Sequence, residues 1–314
     1  MGKELSSQVA LAKPSDTRVS GLDTRPIDSD AEIIVPANGR LVFFGWSAGK
    51  ANALKVTVDY AIKGKPLSSS INVALPAEQG RVIKAPLQGG GWFSFEAPSN
   101  RSRHRRSLYQ VESQWLLPQR FAVDFVRTNR SGQRYSGDPG KNESFFAYGA
   151  DVYAVGDGKV VEVTDGIPDN PPACLETGPI GCKSEHAVPM TRKTLPGNKV
   201  VLEVAPDYFV TYAHLQSGSI PVKNGDMVQA GQMIGKIGNS GNSSEPHLHF
   251  HACDRPSSLE CDGVPTLFER FVEIPIDVQK GPTGPPQMRQ GQMPINSAIL
   301  IFPDKDGQIE QGGP

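Results

Sequence analysis

Short apolar runs that alternate with polar residues recur along most of the chain, and turn-forming residues separate them. Between residues 31 and 97 this pattern predicts six short strands, a spacing typical of a small antiparallel β-sandwich. The predicted strands are Glu32–Val35, Arg40–Trp46, Leu54–Ile62, Ser70–Leu75, Arg81–Ala85 and Gly91–Glu96. Residues 29–97 are therefore a predicted accessory domain, and they contain neither histidine nor cysteine to indicate a chemistry.

The most informative alternation follows a glycine-rich turn in the second half of the chain. His247, His249 and His251 alternate there with Leu248 and Phe250. On a strand, this order directs the three imidazoles to one face and the two apolar side chains to the other. Same-face residues of a strand lie roughly 7 Å apart, so one metal ion can bind one or two of these imidazoles, but not all three.

The two ends of the chain lack this alternation. Residues 1–28 are polar and are predicted to be a flexible segment. Residues 276–314 are rich in proline, glycine and glutamine, which is typical of a linker. Within this tail only Ser297–Phe302 is apolar enough to pack, and we expect it to form an edge strand. The intervening residues 98–275 are rich in predicted strands and form the second predicted domain.

Composition supports a mostly β protein and excludes two classes of partner. The 314 residues include 33 glycines and 27 prolines, which suits a turn-rich fold of two domains. The formal net charge is −1, so no overall field attracts nucleic acid or an anionic membrane. No apolar run approaches the roughly 18 residues that a transmembrane helix needs. The sequence predicts no oligomeric state.

The four cysteines fall into two local pairs, Cys174/Cys182 and Cys253/Cys261, and each pair is separated by eight residues. Two disulfides that close small loops are the simplest interpretation, and they indicate an oxidising compartment. The residues from Met1 to Asp16 lack the apolar core of a signal peptide. We therefore expect a periplasmic or secreted protein whose native signal has been removed and replaced by a start methionine.

Several motifs together resemble a known family. The chain resembles the lysostaphin-type (LytM-like) zinc metallopeptidases, which cut peptide bonds in bacterial cell walls, over about residues 98 to 270. The motifs are, in chain order, Phe121–Phe125, Tyr148–Val160, Tyr212–Leu215, Val222–Gly238 and the histidine alternation. The resemblance implies a lysostaphin-like antiparallel β-sheet peptidase domain that holds one Zn²⁺ ion per chain.

The resemblance also implies a ligand set, from which this chain departs at one position. In the family the metal is held by a histidine, an aspartate four residues later, and the second histidine of the His-x-His pair. Asp124 and His249 match the last two ligands, but the first position is occupied by Arg120. Guanidinium offers no lone pair, and catalytic zinc sites normally use three protein ligands and a water molecule.

A hairpin argument identifies His104 as the predicted third ligand. The segments Ser102–Gln110 and Leu116–Val126 flank a predicted turn, and antiparallel pairing about Gln114 would place His104 directly opposite Asp124. Opposed residues share a face with their Cβ atoms roughly 4.5–5.5 Å apart, whereas a shift of one residue would separate them. In the alternative, His104 is a bystander in an arginine-rich surface run, and His251 is the reserve ligand.

The remaining motif histidines match the two catalytic histidines of the family. These are His214, in Tyr-Ala-His-Leu, and His247, the first of the His-x-His pair. With zinc polarising the peptide carbonyl, they would orient the attacking water, move its proton and stabilise the oxyanion.

The predicted function is therefore an exported zinc metalloendopeptidase that hydrolyses stem or cross-link peptides of peptidoglycan. The alternative is a catalytically inactive peptidase-like protein that binds the wall or regulates another hydrolase, and Arg120 is the residue that favours it. In a third hypothesis the N-terminal sandwich is the working module and binds a ligand or a partner. The Val222–Gly238 stretch is also similar to lipoyl-type carriers, but Lys223 and Lys236 lack the flanking methionine usual in those domains.

Overall fold

The computed structural model describes residues 6–12, 24–26, 40–46, 53–62, 65–74, 80–99, 102–111, 114–173 and 185–309. Strands dominate these residues, and the only helices described there are two short 3-10 turns, η1 (His104–Arg106) and η2 (Asn142–Ser144). The first eleven strands are β1 (Ser6–Ala12), β2 (Thr24–Pro26), β3 (Arg40–Trp46), β4 (Ala53–Ile62), β5 (Lys65–Ala74), β6 (Arg81–Ile83), β7 (Gly89–Phe95), β8 (Tyr109–Val111), β9 (Gln114–Leu116), β10 (Val123–Arg127) and β11 (Asp151–Tyr153). The other eleven are β12 (Gly158–Thr164), β13 (Asn198–Ala205), β14 (Tyr208–Leu215), β15 (Met227–Val228), β16 (Met233–Lys236), β17 (Leu248–Cys253), β18 (Gly263–Val264), β19 (Thr266–Asp277), β20 (Gly281–Pro282), β21 (Gln287–Gln292) and β22 (Ala298–Phe302).

The strands nearest the N-terminus form two small units. β1 lies between β2 and β3 in a three-stranded antiparallel sheet, and β4 pairs with β5 in a hairpin. β3 has the bounds that the alternation predicts, whereas β1 and β2 fall within residues 1–28, which we expected to be flexible. The predicted strand Glu32–Val35 lies outside the described residues. The sandwich arrangement of residues 29–97 stays a prediction.

One large sheet carries most of the remaining strands and confirms the mostly β fold. Its order is β15-β12-β13-β14-β17-β10-β7-β22-β19-β20, with β18 on β17 and with β21 and β6 on β19. Every pairing in it is antiparallel except the parallel pairing of β6 with β19. β14, β17 and β10 are neighbours near the middle of the sheet, where the motif histidines converge.

Two segments pair differently from our expectation. β6 and β7, which we assigned to the N-terminal domain, belong to the large sheet, where β7 pairs with β10 and β22. β22, expected at an edge, lies between β7 and β19. Its burial explains the difference, because Ala298, Leu300 and Phe302 are all fully buried in the core of the sheet. The tail therefore contributes an interior strand where we expected an edge strand.

The apolar face of the large sheet is packed with aromatic and branched side chains. Leu248 and Phe250 are buried in the core, as the alternation predicts, and Phe250 contacts Tyr212 with a ring separation of 5.4 Å. Phe125 of β10 contacts Phe302 of β22 at 5.7 Å. Complete burial of each such side chain stabilises the folded state by about 1.5–3 kcal/mol. This stabilisation determines which face of β10 and β17 is turned towards the core.

The disulfide prediction is confirmed for one pair. Cys253 and Cys261 are bonded, and their sulfur atoms are 2.11 Å apart. Cys174 and Cys182 lie outside the described residues. Among the described helices, none is long and apolar enough to cross a bilayer.

Candidate metal and catalytic site

Asp124 and His249 are held side by side by the pairing of β10 with β17. Their Cα atoms are partners in the ladder, between the pairs Val123/Phe250 and Phe125/Leu248. The His249 Nδ1 atom lies 2.9 Å from Asp124 Oδ1. The two residues are 7% and 3% exposed, so this polar pair is almost fully removed from water.

His104 also reaches Asp124, but by a route other than the predicted hairpin. Its Nε2 is 3.4 Å from Asp124 Oδ2, although His104 lies in η1 rather than on a strand. The observed hairpin pairs Tyr109 with Leu116, so the register about Gln114 is wrong. The physical reason is that β7 and β17 already occupy both edges of β10, which leaves no edge for the segment around His104.

A backbone carbonyl orients the imidazole of His104. The ring nitrogen Nδ1 lies 3.1 Å from the carbonyl oxygen of Glu96, which only accepts, so Nδ1 carries the proton. In the neutral ring, Nε2 then presents a lone pair to Asp124. A lone pair that faces a carboxylate oxygen has no proton to share with it, and a cation can satisfy both groups.

His214 and His247 are oriented in the same way. Nδ1 of His214 donates to the carbonyl oxygen of Ser240, and Nδ1 of His247 donates to that of Glu245, each at 2.8 Å. The two rings are 4.8 Å apart, and His247 Nε2 is 3.7 Å from Asp124 Oδ1. In each neutral ring, Nε2 is therefore free to accept a proton.

The backbone of His214 is strained at the end of β14. Its φ is +61°, in the left-handed region that non-glycine residues rarely adopt, although histidine enters it more readily than most. Two backbone hydrogen bonds hold it there, from His214 N to the Pro196 oxygen and from Gly238 N to the His214 oxygen, both 3.0 Å. Strain of this kind is common where a side chain must be presented to a site.

The buried charges favour the protonation states that bind a metal. Burial lowers the pKa of His104 to about 4. Burial alone would raise the pKa of Asp124, but its interactions with His104, His247 and His249 together hold that pKa well below its usual range. Burial, with the neighbouring His247 and His249, also lowers the pKa of His214 well below 6.5. Neutral imidazole and ionised carboxylate are the forms that ligate zinc.

The donor atoms of His104, Asp124 and His249 fit a zinc ion. One ligand atom from each residue lies within 4.8 Å of the other two. Bonds of about 2.0–2.1 Å in a tetrahedral site separate adjacent ligands by about 3.4 Å, which matches the observed distance from His104 to Asp124. A second convergent group, of His251, Cys253 and Cys261, has its two sulfur atoms joined in the disulfide and therefore offers no thiolate.

The reserve ligand His251 lies behind His249. Its Nδ1 is 3.0 Å from His249 Nε2, whereas Nδ1 on the other side of the His249 ring faces Asp124. His251 Nε2 is 3.1 Å from the carbonyl oxygen of Ser258. Burial and the nearby His249 lower the pKa of His251 well below its usual range. His251 is thus outside the group of three converging donors.

Arg120, at the position of the family's first ligand, is engaged elsewhere. Its Nε donates to the carbonyl oxygen of Gly263, at 2.7 Å, and its guanidinium lies over the ring of Phe121. Gly263 pairs with Cys253, four positions and about 13 Å along β17 from His249. The arginine therefore does not occupy the space between the three candidate ligands.

The three candidate ligands and the other motif histidines, His214, His247 and His251, line one cavity of about 520 Å³. Sequence reasoning missed Glu245, which lines this cavity and pairs with Arg134 Nη1 at 2.5 Å. Burial raises the pKa of Glu245, and Arg134 opposes that rise. A charged residue within the turn two positions before His247 was the available signal. The orienting carbonyl oxygens of Glu96 and Ser240 left no signal, because every residue has a carbonyl.

Comparisons with known proteins find similarity to one peptidase family. The family model of peptidase family M23 matches residues 181–259, a range that includes His214, His247 and His249 but begins after Asp124. Peptidoglycan DD-endopeptidase ShyA of Vibrio cholerae serotype O1 is 27% identical over 226 residues, which are 71% of this chain and 44% of ShyA. Peptidoglycan DD-endopeptidase ShyB of the same organism is 34% identical over 107 residues, or 34% of this chain and 18% of ShyB. The chain thus spans less than half the length of either relative.

Solved structures resemble the chain only loosely. The catalytic domain of lysostaphin from Staphylococcus simulans is 21% identical and covers 56% of this chain and 88% of its own, with a TM-score of 0.29. The M23 metalloprotease pseudoalterin is 14% identical and covers 73% and 94%, with a TM-score of 0.34. At these TM-scores the structural similarity supports no conclusion about function.

Proposed function

We propose that this chain, whose residues 181–259 match the family model of peptidase family M23, is a zinc metalloendopeptidase that cleaves peptide bonds in the stems or cross-links of bacterial peptidoglycan. His104, Asp124 and His249 are its proposed metal ligands, and His214 and His247 are its proposed catalytic residues. The proposal takes its substrate class from the two DD-endopeptidase relatives.

The observation that carries the proposal is the convergence of three donor atoms beside two further imidazoles. The three donors lie within 4.8 Å of one another, and His247 Nε2 is 3.7 Å from the shared carboxylate. A histidine cluster with one buried carboxylate suits a catalytic zinc site, which needs three protein ligands and an open position. The surrounding cavity, of about 520 Å³, has room for a peptide segment at that position.

A bound zinc ion would polarise the scissile carbonyl and acidify a water molecule. The residues of the chain supply the remaining chemistry. His247 and His214 hold their Nδ1 protons on backbone carbonyls, so each Nε2 can accept a proton from the attacking water and return it to the leaving amine. Once protonated, the same nitrogens can donate to the oxyanion.

We further propose that the protein acts outside the cytoplasm, in the periplasm or after secretion. Peptidoglycan lies there, and the Cys253–Cys261 disulfide supports an oxidising environment. The Cys174/Cys182 pairing remains part of this proposal.

Zinc content and wall digestion test the proposal together. Protein purified without added metal or chelator should contain about one zinc per chain by elemental analysis. It should release peptide fragments from purified peptidoglycan, and mass spectrometry of these fragments identifies the bond that is cut. His249→Ala should lose both zinc and digestion, because it removes one of three ligands. Wild-type turnover in His249→Ala would overturn the assignment.

The inactive wall-binding alternative makes the opposite prediction for the same measurements. It requires wild-type protein that stays free of zinc even after titration with zinc, yet sediments with peptidoglycan. Its support in the sequence was Arg120, whose side chain is bound to Gly263. Loss of peptidoglycan binding after removal of residues 1–79, which leaves every described strand of the large sheet in place, would instead favour the N-terminal region as the binding module.

A further inference from the structure

A chain of buried hydrogen bonds extends outward from His249, on the side opposite Asp124. His249 Nε2 is 3.0 Å from His251 Nδ1, and His251 Nε2 is 3.1 Å from the carbonyl oxygen of Ser258. His249 and His251 are 3% and 2% exposed, so water does not compete for these contacts.

The carbonyl oxygen of Ser258, at the outer end of this series of hydrogen bonds, fixes the proton positions within the series. The Ser258 carbonyl oxygen can only accept, so His251 Nε2 carries a proton. The neutral His251 ring then has a lone pair at Nδ1, and only a proton on His249 Nε2 can complete the 3.0 Å contact. With its Nε2 committed as a donor, His249 must use Nδ1, the nitrogen that faces Asp124, as its metal ligand.

In the opposite arrangement, His251 Nδ1 would donate to His249 Nε2. Because His251 Nε2 also carries a proton, His251 would then be a cation, and its surroundings disfavour a positive charge. Lys199 Nζ lies 3.1 Å from the Ser258 hydroxyl, which places a positive charge close to the ring. Lys199 is itself 5% exposed and pairs with Glu162 at 2.8 Å, so that carboxylate is committed to the lysine. The His251 ring contacts a second imidazole and a carbonyl oxygen.

A disulfide closes the loop that supplies the Ser258 carbonyl. Ser258 lies between Cys253 and Cys261, which the disulfide joins. Within this loop the Ser257 hydroxyl accepts the amide protons of Leu259 and Glu260, at 3.3 and 2.9 Å. The covalent closure, these turns and Lys199 together fix the carbonyl that ends the chain of hydrogen bonds.

We infer that His251 is a positioning residue that fixes the tautomer and ring orientation of His249, and that the Cys253–Cys261 loop holds His251 in place through the Ser258 carbonyl. This inference rests on the proposed role of His249 as a metal ligand. Partners of this kind, which bind the second nitrogen of a ligating histidine, typically contribute 10–100-fold in metal affinity. The disulfide thus stabilises the metal site as well as the fold.

Nuclear magnetic resonance of the wild-type protein labelled with nitrogen-15 tests the proton positions without any substitution. We expect the His249 Nε2 to carry a proton in both the metal-free and the zinc-loaded protein. A scalar coupling across the hydrogen bond should join His249 Nε2 to His251 Nδ1. A His249 ring whose Nε2 lacks a proton would overturn the inference.

Zinc affinity, measured by competition with a chelator, tests the consequence. His251→Phe keeps a planar ring but removes the acceptor, so its zinc dissociation constant should rise about 10–100-fold. His251→Asn places an amide oxygen near the position of Nδ1 and should recover most of that loss. The double variant Cys253→Ser/Cys261→Ser opens the loop without creating thiols and should lose less than His251→Phe. His186→Ala is the matched control and should bind zinc as the wild type does.

The possible outcomes separate this inference from the proposed function. If His251→Phe and the wild type bind zinc equally well, the positioning role is wrong and the metal site stands. If the wild type binds no zinc but its His249 shows the expected Nε2 proton and coupling, the positioning role stands and the metal site fails. If His251→Phe does not fold, the wild-type spectrum and His251→Asn still decide the question.

Discussion

The site holds its side chains in two different ways, and the comparison between them explains its construction. Asp124 and His249 are held by a strand ladder, in which the neighbouring pairs on β10 and β17 set their position. His104, His214 and His247 lie outside that pairing, and each is oriented by one hydrogen bond from Nδ1 to a backbone carbonyl. The ladder fixes the backbone, whereas the carbonyl fixes only the ring.

The difference matters for what each group can do. A residue in a central ladder is costly to move, because several backbone hydrogen bonds and its core neighbours would move with it. This suits a group that must keep a metal in place. A ring held by one hydrogen bond can turn at lower cost, which suits the roles proposed for His214 and His247, since each would accept a proton and then release it. His104 is the exception, because it is a proposed ligand that is held like a catalytic residue.

The largest expected effect is on turnover, and it separates catalysis from metal binding for His214 and His247. His247→Ala and His214→Asn should lower turnover about 10²–10⁴-fold, the usual contribution of a general acid–base group. Asparagine replaces His214 because it tolerates the left-handed backbone found there. Zinc content should stay at the wild-type value in both variants, as measured by elemental analysis beside the peptidoglycan assay.

A loss of zinc from either variant would make that imidazole a ligand and would remove the distinction between the two groups. His186→Ala again provides the control, since it removes a histidine that belongs to neither group.

The second largest expected effect tests whether His104, which lies outside the ladder, is a metal ligand. His104→Ala should weaken zinc binding by more than about 100-fold, because loss of a direct ligand should exceed the 10–100-fold typical of an outer partner. Adding Arg120→His should not restore it, since position 120 directs its side chain towards Gly263, far along β17 from the site. Chelator competition gives both constants. Unchanged affinity in His104→Ala would indicate a two-ligand site, and rescue by Arg120→His would place the ligand where the family has it.

Sequence reasoning predicted which face of the histidine strand is buried, but it did not predict the pairing of Asp124 with His249. A strict alternation of His249 and His251 with Leu248 and Phe250 has one stable solution beside an apolar core, so the face and the neighbours of these residues follow from the pattern. The structure confirms that Leu248 and Phe250 pack in the core and that the histidines lie on the other face.

The other half could not be predicted in the same way. His104 was identified from an assumed hairpin register, and it reaches Asp124 from η1 instead. Its position depends on the Glu96 carbonyl and on β7 occupying the edge of β10, and neither is encoded by a local pattern. β22 was misplaced for a related reason, because partners more than two hundred positions apart, such as Ala298 and Ser94, give no periodic signal.

The smallest expected effect concerns the support beneath His104. The Glu96 carboxylate accepts from the Arg103 backbone nitrogen at 2.5 Å and from Arg103 Nε at 2.8 Å, while the Glu96 carbonyl oxygen accepts from His104. Glu96→Ala should weaken zinc binding about fivefold, the equivalent of roughly 1 kcal/mol for a pair whose Arg103 side chain is largely exposed.

Arg103→Ala is the matched variant, because it removes the guanidinium but keeps the backbone nitrogen that Glu96 also binds. It should therefore cost less than Glu96→Ala in the same chelator competition. A loss in Glu96→Ala as large as that in His104→Ala would mean that the whole loop depends on this side chain. No loss at all would mean that the single bond from the His104 ring to the Glu96 carbonyl is sufficient, and that a proposed ligand outside the ladder needs no further support.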